Sequence, residues 1–359
     1  MRAWVAKTGI KKPSKPVLAT QARTRPPQQS PTPQPRHKLK DMSEMTHRRL
    51  GASGLVVSTV GLGCNNFGRK LDLDGTQEVV DAALDAGITL FDTADIYGTP
   101  HGGSEELLGQ ALKGRRDQVV LATKFGMDMG GMNGADRGAR GARSYIVRAV
   151  EASLRRLETD YIDLYQIHQP DEATPIDETL GALDDLVRAG KVRYLGNSNF
   201  AGWQIADADW TARGDGRTPF VSAQNQYSLL NRQVEDEVVP ACERFGLGLL
   251  PFFPLDSGLL SGKYRRGQRP AAGTRLATER HQRWWDGADW DRIEALTEFG
   301  RERGHSLLDV AIAGLAAQPA VSSVIAGATS ASQVQQNAAA GAWQLTADDV
   351  AELSRVLDA

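Results

Sequence analysis

Cysteine is scarce in this chain: Cys64 and Cys242 are the only two in 359 residues, far apart and with no metal-ligand spacing around either. That speaks against a disulfide framework and points to two reduced structural thiols in a cytoplasmic setting. No apolar run approaches the roughly 20 residues that a membrane-spanning helix needs, so no membrane association is expected. Neither sign of charge dominates, with 42 Lys and Arg against 44 Asp and Glu and a formal net charge of -2. Bulk attraction to a nucleic acid backbone is therefore not expected. No G-x-G-x-x-G follows the first strand-like run, which weakens the case for an open dinucleotide-binding sheet. With 41% hydrophobic and 24% charged residues, the chain reads as globular and long enough for one large domain or two ordinary ones.

Residues 1–44 differ from everything after them. Ten Lys and Arg stand there against two acids, around the run RPPQQSPTPQPRHK. This composition predicts a disordered, basic, Pro/Gln-rich extension. It is acid-poor, as a transit peptide is, but its prolines break the amphipathic helix such a peptide requires, and no apolar secretory segment follows. A dispensable tail, an upstream start ahead of a true start at Met45, a targeting segment and a partner-binding arm all remain open. The ordered domain is expected over 45–359.

From there β-branched runs alternate with helical patterns. Eight candidate strands cover 57–63, 88–94, 118–125, 162–168, 192–199, 220–226, 247–255 and 321–328. Between them lie segments of helical period such as SYIVRAVEASLRRLE and PIDETLGALDDLVRAG. SEELLGQAL is read as a helix capped by Ser104, with Glu105 and Glu106 in its first turn. Strict alternation implies a parallel sheet with its crossovers outside. Eight repeats in about 300 residues fit an α/β fold of the (β/α)8 TIM barrel type, in a single domain, better than an open sheet. The chemistry of such a barrel belongs at the C-terminal ends of its strands.

Four polar residues stand at those ends: Asp92 closing the second strand, Tyr97 in the loop after it, Lys124 in ATKFG, and His168 in YQIHQPD. Each alone has an ordinary structural reading. Together, at equivalent ends of consecutive strands, they form a coherent acid–base set. A phenol with a pKa of about 10 donates a proton poorly unless its phenolate is stabilised, which a nearby ammonium does. An aspartate would hold that lysine charged, and a histidine would orient a carbonyl oxygen. With no Ser or Cys nucleophile arrangement, hydride from a nicotinamide fits as the other half of the reaction.

The stretches FDTADIYG, ATKFG, SLRRLETDYIDLYQIHQPD, GKVRYLGNSNF, QNQYSLLNR, PLDSGLLSGKYRRG and SVIAGATSASQVQQN closely resemble aldo-keto reductases. The bacterial and potassium-channel-β-subunit-like branches are the nearest in pattern, from about Arg48 to the C-terminus. The resemblance implies a barrel that binds NADP(H) and reduces aldehydes or ketones, with Asp92, Tyr97, Lys124 and His168 as the catalytic tetrad and Tyr97 as general acid. It also implies nicotinamide contacts from Ser198, Asn199 and Gln224, and ring stacking from Phe252. Phosphate and adenine contacts would come from Pro254, Leu255, Gly258, Lys263 and Arg275, and from Gly327, Thr329, Gln333, Gln336 and Asn337. Two positions depart from the pattern: Phe253 where relatives have Ser, and Gln336 where they often have Glu.

Substrate choice is assigned to the loops at 126–143 and 269–287. The first is too glycine-rich to hold a rigid pocket by itself, and in the second Trp284 and Trp285 either line the site or pack the loop down. The expected partner is a small carbonyl or alcohol substrate, in a monomer or a homo-oligomer. The rival expectation is a redox-sensing, NADPH-binding regulatory subunit with slow turnover. Asp95, between Asp92 and Tyr97, is read as loop structure.

Overall fold

The computed structural model describes residues 45–358, so the extension expected to be disordered lies outside the described residues. Two short antiparallel strands come first, β1 (His47–Arg49) and β2 (Val56–Ser58). Eight follow: β3 (Val60–Gly63), β4 (Leu90–Asp92), β5 (Val120–Phe125), β6 (Ile162–Ile167), β7 (Val192–Ser198), β8 (Phe220–Gln224), β9 (Gly248–Leu249) and β10 (Val324–Gly327). They pair in parallel in the order β10-β3-β4-β5-β6-β7-β8-β9, and a bridge between Leu249 and Val321 joins the two ends of the sheet. Backbone bonds from Leu249 N to Ala320 O at 2.7 Å and from Ile325 N to Pro251 O at 3.0 Å cross the same seam. The fold is thus the expected (β/α)8 barrel.

Helices α1 (Leu73–Asp85), α2 (Gly103–Ala111), α3 (Arg143–Arg156), α4 (Ile176–Arg188), α5 (Gly202–Gly214) and α6 (Val234–Phe245) connect β3 through β9 in turn. Three helices, α7 (Gln282–Asp286), α8 (Trp290–Glu302) and α9 (Leu307–Ala316), precede β10, and α10 (Ala331–Ala340) and α11 (Ala347–Asp358) follow it. Helix α4 shows why these segments are helical. Ile176, Leu180, Leu183 and Val187 recur at helical spacing and pack on the core, while Asp177 and Glu178 open it and Arg188 ends it, each complementing the helix dipole.

Three expectations need correction. The run 57–63 is two strands, because the chain breaks at Thr59: Val56–Ser58 pairs backwards with β1, and Val60–Gly63 enters the barrel. The run 247–255 keeps only two residues as β9, since Pro251 and Pro254 have no N–H to donate to a ladder. Ser104 does not cap α2. The N-cap is Gly102, and Ser104 is the second residue of the first turn, its hydroxyl donating to Cys64 O at 2.8 Å.

The barrel interior is layered. Leu90, Ala122, Leu164, Leu250 and Ile325 form an apolar cluster that Leu50 and Val57, from the β1–β2 hairpin, complete. Gly51 allows that plug to seat: its φ is +57, and a Cβ there would meet Gly246 O at 2.3 Å. Successive inward positions lie two residues apart along a strand. Asp92, Lys124 and Gln166 therefore form the next layer, above Leu90, Ala122 and Leu164.

Candidate active site

That second layer is polar and fully bonded. Lys124 Nζ donates to Asp92 Oδ2 at 2.6 Å and to Thr93 O at 2.9 Å. The other Asp92 oxygen accepts from Gln166 Nε2 at 3.1 Å and from Gln224 Nε2 at 2.9 Å. Lys124 is fully buried and Asp92 nearly so, so each charge depends on the other. Losing one partner of such a pair costs about 3–5 kcal/mol. Gln166, on β6 between Leu164 and His168, was not singled out in the sequence. Its period-2 spacing to His168 is the signal that could have found it.

Tyr97 and His168 sit above this layer. Lys124 Nζ lies 5.1 Å from the centre of the Tyr97 ring, and the Tyr97 and His168 rings meet edge to face at 5.7 Å. All four tetrad residues converge at the C-terminal mouth, where barrel chemistry belongs. Burial raises the phenol's pKa, Lys124 pulls it down, and the net direction is upward. The ammonium acts in the expected sense but does not prevail. Burial likewise opposes the charge on Lys124, yet Asp92 and the phenol leave its pKa above the usual value. The His168 imidazole is pushed down from 6.5 to about 3, first by burial and then by Lys124. It is neutral near pH 7.

The residues assigned to a cofactor fall at or after the ends of four strands, β7 to β10. Ser198 Oγ donates to Gln224 O at 2.8 Å, and Asn199 Nδ2 donates to His168 O at 2.9 Å. Asn199 reaches that position with φ at +60. Beyond β9, Phe252 is half-buried, Pro254 is buried and Leu255 is half-buried. Phe253, Asp256, Ser257 and Gly258 all have positive φ, at 54, 42, 58 and 99. The three non-glycine residues among them store strain of the kind that clusters at ligand clamps, while Gly258 adopts its φ without steric cost. At Gly258 a Cβ would lie 3.4 Å from Lys263 Nζ, and Arg275 lies 5.3 Å over the Phe253 ring.

At the start of α10, Thr329 N and Oγ1 donate to the Gln333 side-chain oxygen at 2.8 and 3.1 Å. That oxygen occupies the kind of acceptor position that a helix N-terminus offers to an anion. Gly327 is exposed beside it, Gln336 is exposed and Asn337 is buried. The backbone donors and the nearby cations suit an anionic ligand. Trp285 packs the following loop, meeting Trp290 at 4.7 Å and Tyr264 at 6.1 Å. Both cysteines are buried and free. Among the described residues, no helix is long and apolar enough to cross a membrane.

The mouth of the closed (β/α)8 barrel thus gathers a buried Lys–Asp pair, a phenol and a neutral imidazole. The chain belongs to the aldo/keto reductase family, whose model matches residues 59–358, and thus to a family of oxidoreductases. It is 39% identical to the uncharacterized oxidoreductase YrpG of Bacillus subtilis (strain 168), over 81% of this chain and 89% of that protein. It is 38% identical to a probable voltage-gated potassium channel subunit beta of Oryza sativa subsp. japonica, over 82% and 90% of the two chains. It is also 32% identical to L-glyceraldehyde 3-phosphate reductase of Escherichia coli (strain K12), over 82% and 87%.

Proposed function

We propose that this protein reduces aldehydes or ketones to alcohols with NADP(H), Tyr97 serving as the general acid. The observation that carries this reading is the buried Lys124–Asp92 pair directly beneath the Tyr97 ring. A nicotinamide cofactor, when bound, supplies hydride to the carbonyl carbon. Ser198, Asn199 and Gln224 would hold its carboxamide, Phe252 its ring face, and Lys263, Arg275 and the start of α10 its phosphates.

The chain's own part is proton transfer. Tyr97 is held protonated near neutral pH and donates to the oxygen as alkoxide character develops. The phenolate left behind faces the Lys124 ammonium, which Asp92 keeps charged and in place. In the reverse direction that phenolate takes the alcohol proton. His168, neutral, presents a ring nitrogen to the same oxygen and orients it without competing as an acid.

Purified protein mixed with NADPH or NADH and a panel of aldehydes and ketones should consume reduced nicotinamide. Tyr97→Phe should lower kcat by about 10²–10⁴-fold while cofactor still binds. Full activity in that variant would rule out the tyrosine mechanism. The similarity to probable channel β subunits favours a second reading, a cofactor-binding regulatory subunit with slow turnover. Recovery of a stoichiometric partner from host extract, together with negligible turnover across the panel, would select it.

A further inference from the structure

The loop of residues 126–142 leaves β5 immediately after Phe125, next to Lys124, and ends at α3. Its glycines give the unfolded segment high conformational entropy, so a fixed position beside that strand end demands strong anchors. The anchors are Met129 and Asn133, 2% and 4% exposed. Asn133 Nδ2 donates to Asp95 Oδ2 at 3.0 Å. Its side-chain oxygen accepts from Arg156 at 3.4 Å, and its backbone carbonyl accepts from Arg148 at 3.3 Å.

Asp95 is fully buried, and its backbone N–H donates to Lys124 O at 3.1 Å. Arg156 continues the chain of contacts to Glu105 at 2.7 Å, and Glu105 accepts from Thr123 Oγ1 on β5 at 2.6 Å. The ring of contacts therefore runs from the end of β4, through the loop tip, α3 and α2, and back to β5. None of its bonds reaches a side chain of the tetrad. Burial first, then the charge of Glu105, push the Asp95 carboxyl well above the usual range, while Arg156 and the Asn133 amide pull it back. A buried carboxyl group so placed needs a hydrogen-bonding partner, and that amide is one.

We propose that Asp95 and Asn133 form a latch that fixes loop 126–142 over the barrel mouth and so sets how tightly a carbonyl substrate is held. Both are positioning residues, since neither touches the groups that transfer the proton. The kinetic part of this inference rests on the carbonyl-reductase reading; the part about the loop does not.

The test joins hydrogen exchange of peptides spanning 126–142 with steady-state kinetics. Asn133→Ala removes the amide that the buried Asp95 carboxyl bonds, so loop exchange should speed up and KM should rise by about tenfold or more. A kcat within about twofold of wild type and an unchanged cofactor Kd should accompany that change. Asn133→Asp, which replaces the amide donor with a second acid facing Asp95, should do the same. The double variant Asp95→Asn/Asn133→Asp reverses donor and acceptor, and should restore both exchange and KM.

Wild-type exchange in Asn133→Ala, a fall in kcat with KM unchanged, or failure of the reversed pair to restore the loop would each overturn the latch. If wild type turns over no carbonyl with either cofactor, the functional reading falls while the exchange result still decides the latch.

Discussion

At Lys124 burial acts to strip the ammonium of its proton, and Asp92 with the Tyr97 phenol more than offsets it. At Tyr97 burial is again the largest effect, and there it prevails over Lys124. The pair thus holds its protons apart: a fixed cation below and a neutral phenol above. His168 is the third case, a histidine driven from 6.5 down to about 3 by burial and then by Lys124. In the unfolded chain its imidazole takes up a proton near pH 6.5. Between pH 6.5 and about 3 the unfolded state therefore binds more protons, and stability falls as pH falls through that window. His168→Gln removes this component. Its melting temperature should depend less steeply on pH between 6.5 and 4 than that of wild type, measured by calorimetry. Equal slopes would contradict a buried neutral imidazole.

Among the elements, the β1–β2 hairpin carries a role that its length does not suggest. Leu50 and Val57 close the apolar layer of the barrel at the end opposite the tetrad. Leu50→Ala should cost about 2–5 kcal/mol, seen as a lower urea midpoint, with kcat/KM of the folded protein unchanged. An unchanged midpoint would mean that the hairpin is not part of the core. The barrel itself was legible because strand runs and helical periods alternate along the chain, and that pattern survives in one sequence. The break at Thr59 was not legible, since Val57 and Val60 look like one run until β1 claims the first. The Asp95 contact was not legible for a related reason: its partner Asn133 is 38 residues away, and only the fold brings them together. The tetrad positions, by contrast, each sit within a few residues of a strand end, so local pattern and motif suffice to place them.

For the molecule as a whole, the remaining question is which nicotinamide dinucleotide it prefers, and charge at the rim bears on it. Lys263 and Arg275 come from the region after β9, and Arg69 and Lys70 from the loop after β3. The Lys70 ammonium is driven down first by burial and then by Arg275, Arg69 and Lys263, so cations of two loops repel one another across this edge. A phosphate dianion placed there would relieve that repulsion, and a ribose hydroxyl would not. NADPH should therefore stabilise the protein more than NADH at equal concentration. A ligand at 100 times its Kd adds about 2.7 kcal/mol to folding, which a thermal-shift experiment resolves as a rise of several degrees. Lys263→Ala should weaken NADPH binding by about tenfold, the loss of roughly one charge-assisted contact, and leave the smaller NADH shift in place. The NADPH advantage should also shrink as salt is raised, because these cations are solvent-exposed or half-buried and their field is screened. Equal shifts for the two cofactors in wild type, or an NADPH advantage that survives both the substitution and high salt, would remove the phosphate from this edge of the barrel.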